Sequence, residues 1–224
     1  MNIDPIAYIR TDFSEKFGIP RQSGLADNLR ARIIFEPEYR NNDALRGLEG
    51  FSHVWLIWGF SANWRSGWQP TVRPPRLGGN EHMGVFATRS PFRPNPIGLS
   101  CVRLERIDMD DREGPVIYVR GADMMDGTPI YDIKPYIKYA DSWPHAVCGY
   151  VDTLPERTLK VVLPPEFSSM IADKAVIPAL VETLSLDPRP SYHDDPERVY
   201  GLSFAGHNVR FKVNDGVLTV VGIE

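Results

Sequence analysis

Cysteine is scarce in this 224-residue chain, with two residues, Cys101 and Cys148. Two thiols build neither a disulfide framework nor a four-thiolate zinc centre, so a reducing compartment is the plain expectation. Long apolar runs are also missing. The longest, Val54 to Phe60, falls far short of the ~20 residues a membrane helix needs. The stretch from Met1 to Arg10 carries Asp4 and lacks a basic segment ahead of an apolar one. No secretory signal and a cytoplasmic location are therefore expected. Positive excess is missing too, since the net charge is −4. A generally basic nucleic-acid coat is excluded. Lysine is rare, 6 residues against 19 arginines. Residues 1–140 carry a net charge of +1 and residues 141–224 a net of −5.

Common catalytic signatures are absent as well. There is no G-x-x-x-x-G-K-[ST] phosphate loop and no G-x-G-x-x-G after a strand. No G-x-S-x-G elbow occurs. The five histidines, His53, His82, His145, His193 and His207, show no metal spacing, and no metal site is expected.

What is present is an ordinary globular balance, 42% hydrophobic and 24% charged, with enough chain for one large domain or one plus a small one. Short β-rich runs recur at Ile3 to Ile9, Ala31 to Phe35, Ser52 to Phe60, Gly84 to Ala87, Ile97 to Ile107, Val116 to Arg120 and Ile130 to Ile137. A short helix is predicted from Tyr39 to Leu48. The first 140 residues thus read as an all-β barrel or sandwich. From Pro164 onward the pattern changes. Phe167, Met170, Ile171, Lys174, Ile177, Val181 and Leu184 recur at helical spacing, with Pro178 as a kink or break. Strands follow at Val199 to Phe204 and Val209 to Val213. Asn214-Asp215-Gly216 is a hairpin turn into Val217 to Gly222. The boundary falls between about 141 and 158, which predicts units at 1–145 and 155–224. The fold class is mainly β, an N-terminal β unit with a small α+β C-terminal unit.

The chemistry concentrates in a few loops. Between Trp64 and Ser100 lie five arginines, no lysine and one acid, Glu81. Prolines stiffen this stretch and glycines let backbone N–H groups approach a ligand. Arg89, Arg93 and Asn95 can present donors to an anion or carboxylate. A purely structural reading is equally available: Pro94-Asn95-Pro96 is a turn, and the arginines cap carbonyls. Asp126-Gly127-Thr128-Pro129 reads as a β-turn or as a backbone cradle whose carboxylate accepts from a ribose or an amine. Pro20-Arg21-Gln22 is a polar insert in a loop. Trp55 and Trp58 fit a core, whereas Trp64 and Trp68, in the loop, can stack a base.

Together these segments resemble one family. Gly50-Phe-Ser-His-Val-Trp55, Arg73-Pro-Pro-Arg-Leu-Gly-Gly-Asn80, the run from Gly84 to Gly98 (GVFATRSPFRPNPIG) and the run from Asp126 to Tyr136 (DGTPIYDIKPY) are similar to the TsaA-like, or TrmO, tRNA methyltransferases. The resemblance runs from about Ile6 to about Ala140. Asp187-Pro-Arg-Pro190 with Tyr192, and Val209-Arg-Phe211, look like the two-domain bacterial members.

The resemblance implies a β-barrel N-terminal domain that binds S-adenosylmethionine without a Rossmann fold. It implies methylation of N6 of threonylcarbamoyladenosine at position 37, beside the anticodon of tRNA, by a homodimer. It also implies cofactor contacts from Pro20, Arg21, Gln22, Arg89, Leu99, Asp126, Gly127, Thr128 and Pro129. The family often has Phe-His-Gln where this chain has Phe60-Ser61-Ala62, so Ser61 and Ala62 enter the expected set through their backbone. Asp126, Asp132 and Tyr136 are the polar groups able to accept a proton or stabilise the urea-like oxygen. Arg76, Arg93, Asn95 and Lys134 are the expected partners of the substrate carboxylate. Arg189, Arg198, Arg210 and Lys212 of the C-terminal unit are expected against tRNA phosphates. A silent nucleotide- or RNA-binding module, and a methyltransferase of the same fold acting on a small molecule, remain the rival readings.

Overall fold

The computed structural model describes residues 3–63, 67–110, 112–154, 158–190 and 195–224. Trp64, Tyr192 and His193 lie outside these residues. The structure is mainly β. Strands β1 (Ala7–Arg10), β2 (Arg30–Phe35), β3 (His53–Gly59), β4 (Thr71–Val72), β5 (Met83–Gly84), β6 (Ile97–Asp110), β7 (Gly114–Arg120) and β8 (Pro129–Pro135) fill the first part. Six of them pair in the closed order β1-β2-β7-β6-β3-β8. The ring is shut by β8 returning to β1 through Ala7↔Ile130 and Tyr8↔Pro129.

Strict alternation along the strands explains this arrangement. Ala31, Ile33 and Phe35 of β2, and Val54, Leu56 and Trp58 of β3, point inward and are buried. With Ile9, Val102, Ile117, Val119 and Ile130 they form one core. The intervening Arg30 and Arg32 face out. The 39-to-48 stretch, predicted as a helix, is instead a set of short 3₁₀ turns at Pro37–Tyr39, Asn42–Leu45 and Leu48–Gly50. Asn41 caps the second through the Asp43 N–H at 2.9 Å. Arg46 ends it, and Gly47, at φ +86°, opens the third in a conformation unfavourable to L side chains. Of the predicted strand from Gly84 to Ala87, only Gly84 pairs, opposite Thr71 of β4, and Val85–Ala87 is a 3₁₀ turn.

A short helix, α1 (Lys138–Asp141), leads out of the ring. The second sheet has the order β10-β11-β12-β9, built from β9 (Lys160–Val162), β10 (Tyr200–Phe204), β11 (His207–Asn214) and β12 (Val217–Ile223). Both hairpin turns carry two successive positive-φ residues, Ala205-Gly206 and Asp215-Gly216. That is the turn geometry matched to strand twist. The single amphipathic helix expected after Pro164 is two helices, α2 (Pro165–Met170) and α3 (Ile177–Ser185). Lys174 stops the first by donating Nζ to the carbonyls of Ser168 and Ile171, each at 2.6 Å. Asp173 then caps the next turn through the Ala175 N–H. Pro178 falls in the first turn of α3, where its missing N–H costs nothing.

Packing does not follow the chain boundary. The segment between β1 and β2 leaves the ring and enters the second core. Phe13, Ala26 and Leu29 are buried there with Leu180, Leu202, Phe204 and Phe211. The Phe13 and Phe204 rings meet edge-on, with centroids 5.3 Å apart. The Ala205 N–H donates to the Asp12 carbonyl at 2.9 Å. A Cβ on Gly18 would stand 2.1 Å from Leu202 Cδ1. The loop that carries Pro20, Arg21 and Gln22 is thereby seated on the C-terminal unit.

Candidate active site

One end of the ring gathers most of the singled-out residues. The 126–129 turn opens β8. Gly127, at φ +73°, donates its N–H to the Ile9 carbonyl, and Asp126 donates its own to the Phe13 carbonyl. The Asp126 carboxylate accepts from the Thr11 N–H at 3.1 Å and faces Arg10 Nη1 at 3.4 Å. Thr128 is buried and its hydroxyl donates to the Met125 carbonyl. Beside this turn β3 ends at Gly59 and β6 begins at Ile97, paired to each other. Leu99 faces outward here, 55% exposed.

Two glycines make that end tight. A Cβ on Gly98 would stand 2.3 Å from the Trp58 ring, and one on Gly59 would stand 2.4 Å from the Tyr131 hydroxyl. The Trp58 ring in turn packs on Phe60 at 4.4 Å.

The Pro20–Gln22 loop comes to the same end. Arg89 Nη1 donates to Gln22 Oε1. Lys16 Nζ donates to the Ala62 carbonyl at 3.3 Å, which ties Ser61 and Ala62 to this loop. Pro20 is buried, Arg21 is exposed and Gln22 is partly exposed. Pro20, Arg21, Gln22, Ala62 and Arg89 thus belong to one connected loop layer. The 126–129 turn, Gly98 and Leu99 lie on the ring end beneath it.

Other expected residues go elsewhere. Tyr136 lies seven residues beyond Pro129, about 23 Å along an extended strand. Its N–H donates to the His53 carbonyl, at the opposite end of β3, and its ring lies 6.0 Å from that of Trp55. Asp132 and Lys134 pair with each other at 2.8 Å on the outer face of β8. In register, Lys134 stands opposite Trp55, away from the turn, while Asp132 stands opposite Ile57, the partner of Leu99, and so remains on the face that carries Leu99. Arg93 donates Nη1 to the carbonyls of Val85 at 3.0 Å and Thr88 at 2.7 Å. Its guanidinium lies 5.5 Å from the Phe86 ring. Arg93 therefore closes its own loop. Arg76 sits in the exposed 3₁₀ turn Pro75–Leu77, and Asn95 is exposed between its two prolines.

Two acids that sequence reasoning passed over lie close to this end. The Ser100 hydroxyl donates to Asp123 Oδ1 at 2.6 Å. Burial pushes the Asp123 carboxyl above its ordinary range, against the pull of Ser100, the backbone and the Arg89 charge. Burial, then the charges of Asp173 and Asp126, push the Asp12 carboxyl up as well. The only sequence signal was their closeness to the 126–129 motif and to the β1 exit.

The chain matches the tRNA-methyltransferase O N-terminal domain over residues 8–142 and the TrmO C-terminal domain over residues 157–224. The chain belongs to the TrmO family. Among TrmO relatives, a tRNA (adenine(37)-N6)-methyltransferase of Escherichia coli (strain K12) is 40% identical, over 99% of this chain and 97% of its own length. A human tRNA (adenine(37)-N6)-methyltransferase is 44% identical over 145 residues, which span 62% of this chain and 31% of the human protein. A crystal structure of TrmO from Pseudomonas aeruginosa superposes with a TM-score of 0.79 at 34% identity, covering 100% of this chain and 96% of that one. A relative from Pyrococcus abyssi, 36% identical over 148 residues, is described as a probable S-adenosyl-L-methionine-binding protein.

The residues at the ring end suit such a donor chemically. S-adenosylmethionine combines a flat adenine and a sulfonium-bound methyl with a carboxylate and an ammonium group. Leu99 offers exposed apolar surface, Arg89 and Gln22 offer N–H donors, and Asp126 offers an acceptor.

Proposed function

We propose that this protein transfers a methyl group from S-adenosylmethionine to N6 of adenine 37 in tRNA. The observation that carries the reading is the gathering of the 126–129 turn, Leu99 and the Gln22–Arg89 link at one end of a TrmO-family ring. When bound, the donor supplies an electrophilic sulfonium methyl. The protein supplies position. Arg89 pairs with the donor carboxylate, Asp126 accepts from a ribose hydroxyl or ammonium, and Leu99 packs on apolar surface. Alignment of the nitrogen with the methyl carbon at about 3–3.5 Å accounts for most of the acceleration.

The finer reading is that the adenine carries a threonylcarbamoyl group. Its N6 is a weak nucleophile, because the carbamoyl group withdraws the lone pair, and a proton must leave during transfer. Asp126 is the carboxylate of the three expected catalytic groups at this ring end, and Asp12 lies within its electrostatic reach. Tyr136 reaches the reaction only from a second copy of the chain, whereas Asp132 stands in register with Leu99 across Ile57. A homodimer is part of the reading. Its support is the arm after β8, where Tyr139 is 91%, Trp143 77% and Val147 89% exposed. An open hollow of about 460 Å³ lies under Lys138, Tyr139, Ser142 and Pro144. It sits past the far end of β8 from Asp126, so it belongs with the arm rather than with the donor. Units at 1–145 and 155–224 are also part of the reading, with family matches over residues 8–142 and 157–224 in their support. No described helix is long and apolar enough to cross a membrane, and a cytoplasmic enzyme is the reading we adopt.

The test is direct. Purified protein is incubated with methyl-labelled S-adenosylmethionine and tRNA from a strain lacking this gene, and the nucleosides are separated by mass spectrometry. Label on N6 of the threonylcarbamoylated adenosine is expected. Label elsewhere, or donor binding with no transfer to any tRNA, overturns the reading.

A further inference from the structure

One buried side-chain relay runs from the core of the ring to the Pro20–Ser23 loop. The Trp58 indole N–H donates to the Ser100 hydroxyl at 3.0 Å, and Ser100, 1% exposed, donates to Asp123 Oδ1. The Ser23 backbone N–H favours the charged form of the same carboxylate. One residue further on, the Gly24 N–H donates to the Gly121 carbonyl at 2.9 Å. At that crossing a Cβ on Gly121 would lie 3.1 Å from Gly24 backbone atoms. Asp123 also feels the charge of Arg89, whose guanidinium donates to Gln22.

We propose that Asp123 is a positioning residue for the methyl donor, fixing the Pro20–Ser23 loop and aiming the Gln22–Arg89 pair from behind. This rests on the reading that these residues hold S-adenosylmethionine. Asp123 acts on the loop backbone and, through its charge, on Arg89, rather than on the donor. Its partners divide the work. Trp58 and Ser100 orient the carboxylate, Ser23 transmits its position to the loop, and its charge restrains Arg89. A residue that merely filled space would affect stability alone. A residue that aims Arg89 affects donor affinity, and does so only while Arg89 is present.

The test uses full-length protein carrying Asp123→Asn, Arg89→Ala, both together, or Ser100→Ala. Calorimetry with S-adenosylmethionine, tRNA affinity and thermal unfolding are measured on each. Loss of a charge-assisted contact predicts donor binding weaker by about tenfold or more in Asp123→Asn, with tRNA affinity within about twofold of wild type. In the Arg89→Ala background the Asp123→Asn change should add less than about threefold, because the two act as a unit. Ser100→Ala should weaken the donor in the same direction by a smaller factor, and it decides the matter should Asp123→Asn fail to fold. Unchanged donor affinity in Asp123→Asn, or in Ser100→Ala when that variant must decide, overturns the proposal. So do losses that multiply fully with Arg89→Ala. Wild-type protein that takes up no S-adenosylmethionine sinks the donor-site reading as well, which separates the two failures.

Discussion

Phe13→Ala should unfold the C-terminal unit before the ring, although Phe13 lies three residues after β1. The side chain is 1% exposed and stacks edge-on with Phe204 at 5.3 Å. Around it lie Leu180, Leu202, Phe211 and Leu218, all fully buried. Truncating a buried phenylalanine costs about 3–5 kcal/mol from lost transfer energy and the residual cavity. In a chain of this size each kcal/mol lowers Tm by about 2–4 °C, so a drop of about 6–20 °C is expected. Hydrogen exchange locates the loss. Amides of Tyr200–Phe204 and His207–Asn214 should lose protection first, while those of His53–Gly59 and Gly114–Arg120 keep theirs. Donor affinity should fall too, because the same segment carries Pro20 to Gln22. A loss below about 1 kcal/mol, or exchange confined to the ring strands, would refute the claim that this segment belongs to the second core.

Three further outcomes follow from the packing. Gly98→Ala places a methyl 2.3 Å from the Trp58 ring; overpacking of that kind costs about 1–3 kcal/mol, and calorimetry should show weaker S-adenosylmethionine binding together with a lower Tm. Glu105 is pushed up by burial, but Arg120 at 2.6 Å, with Arg30 and Arg106, outweighs this and holds its carboxyl below the ordinary range. A folded value below the unfolded one, about 4.3, gives stability that is present above that pH and lost as pH falls through the folded value. Glu105→Gln should therefore cost about 1–2 kcal/mol near neutrality, and the gap from wild type in urea titrations should close as pH drops below about 4. Arg93→Ala frees the Val85 and Thr88 carbonyls that it now caps. Protease should then cut the 85–96 loop faster, and both donor and tRNA affinity should fall. Loss of tRNA affinity alone would return Arg93 to a direct role on the substrate.

Much of the fold was legible because it obeys local rules. Period-two alternation marks β2 and β3, and Asn214-Asp215-Gly216 marks the last hairpin, since only positive φ at Asp215 and Gly216 matches the strand twist. What stayed hidden depends on partners distant in sequence. Nothing local says that Phe13 and Leu29 pack with Phe204 rather than with Ile33. The helix expected through Ile171 breaks because Lys174 folds back onto three carbonyls, an event that hydrophobic spacing does not record. The 39-to-48 stretch fails as a helix for a different reason: Gly47 and the Asn41 cap divide it into single turns.

The site illustrates how contiguous sequence misleads about contiguous space. The run from Asp126 to Tyr136 reads as one motif, yet most of it is a strand, and a strand carries its ends apart at about 3.3 Å per residue. Asp126 and Tyr136 therefore serve opposite ends of the ring within one chain. Residues far apart in sequence do the reverse. Gln22, Ala62 and Arg89 converge because three loops, after β1, after β3 and before β6, all leave the same end of the ring. Arginine density misled in the same way. Of the expected anion-binding arginines, Arg93 is consumed by carbonyls of its own loop, whereas Arg89 extends to a neighbouring one. Both sit in the same Thr-Arg-Ser-Pro-Phe-Arg-Pro run, so residue type cannot tell them apart. The difference lies in what each guanidinium meets when the loop closes, and for Arg89 that is Gln22, which the run itself does not contain.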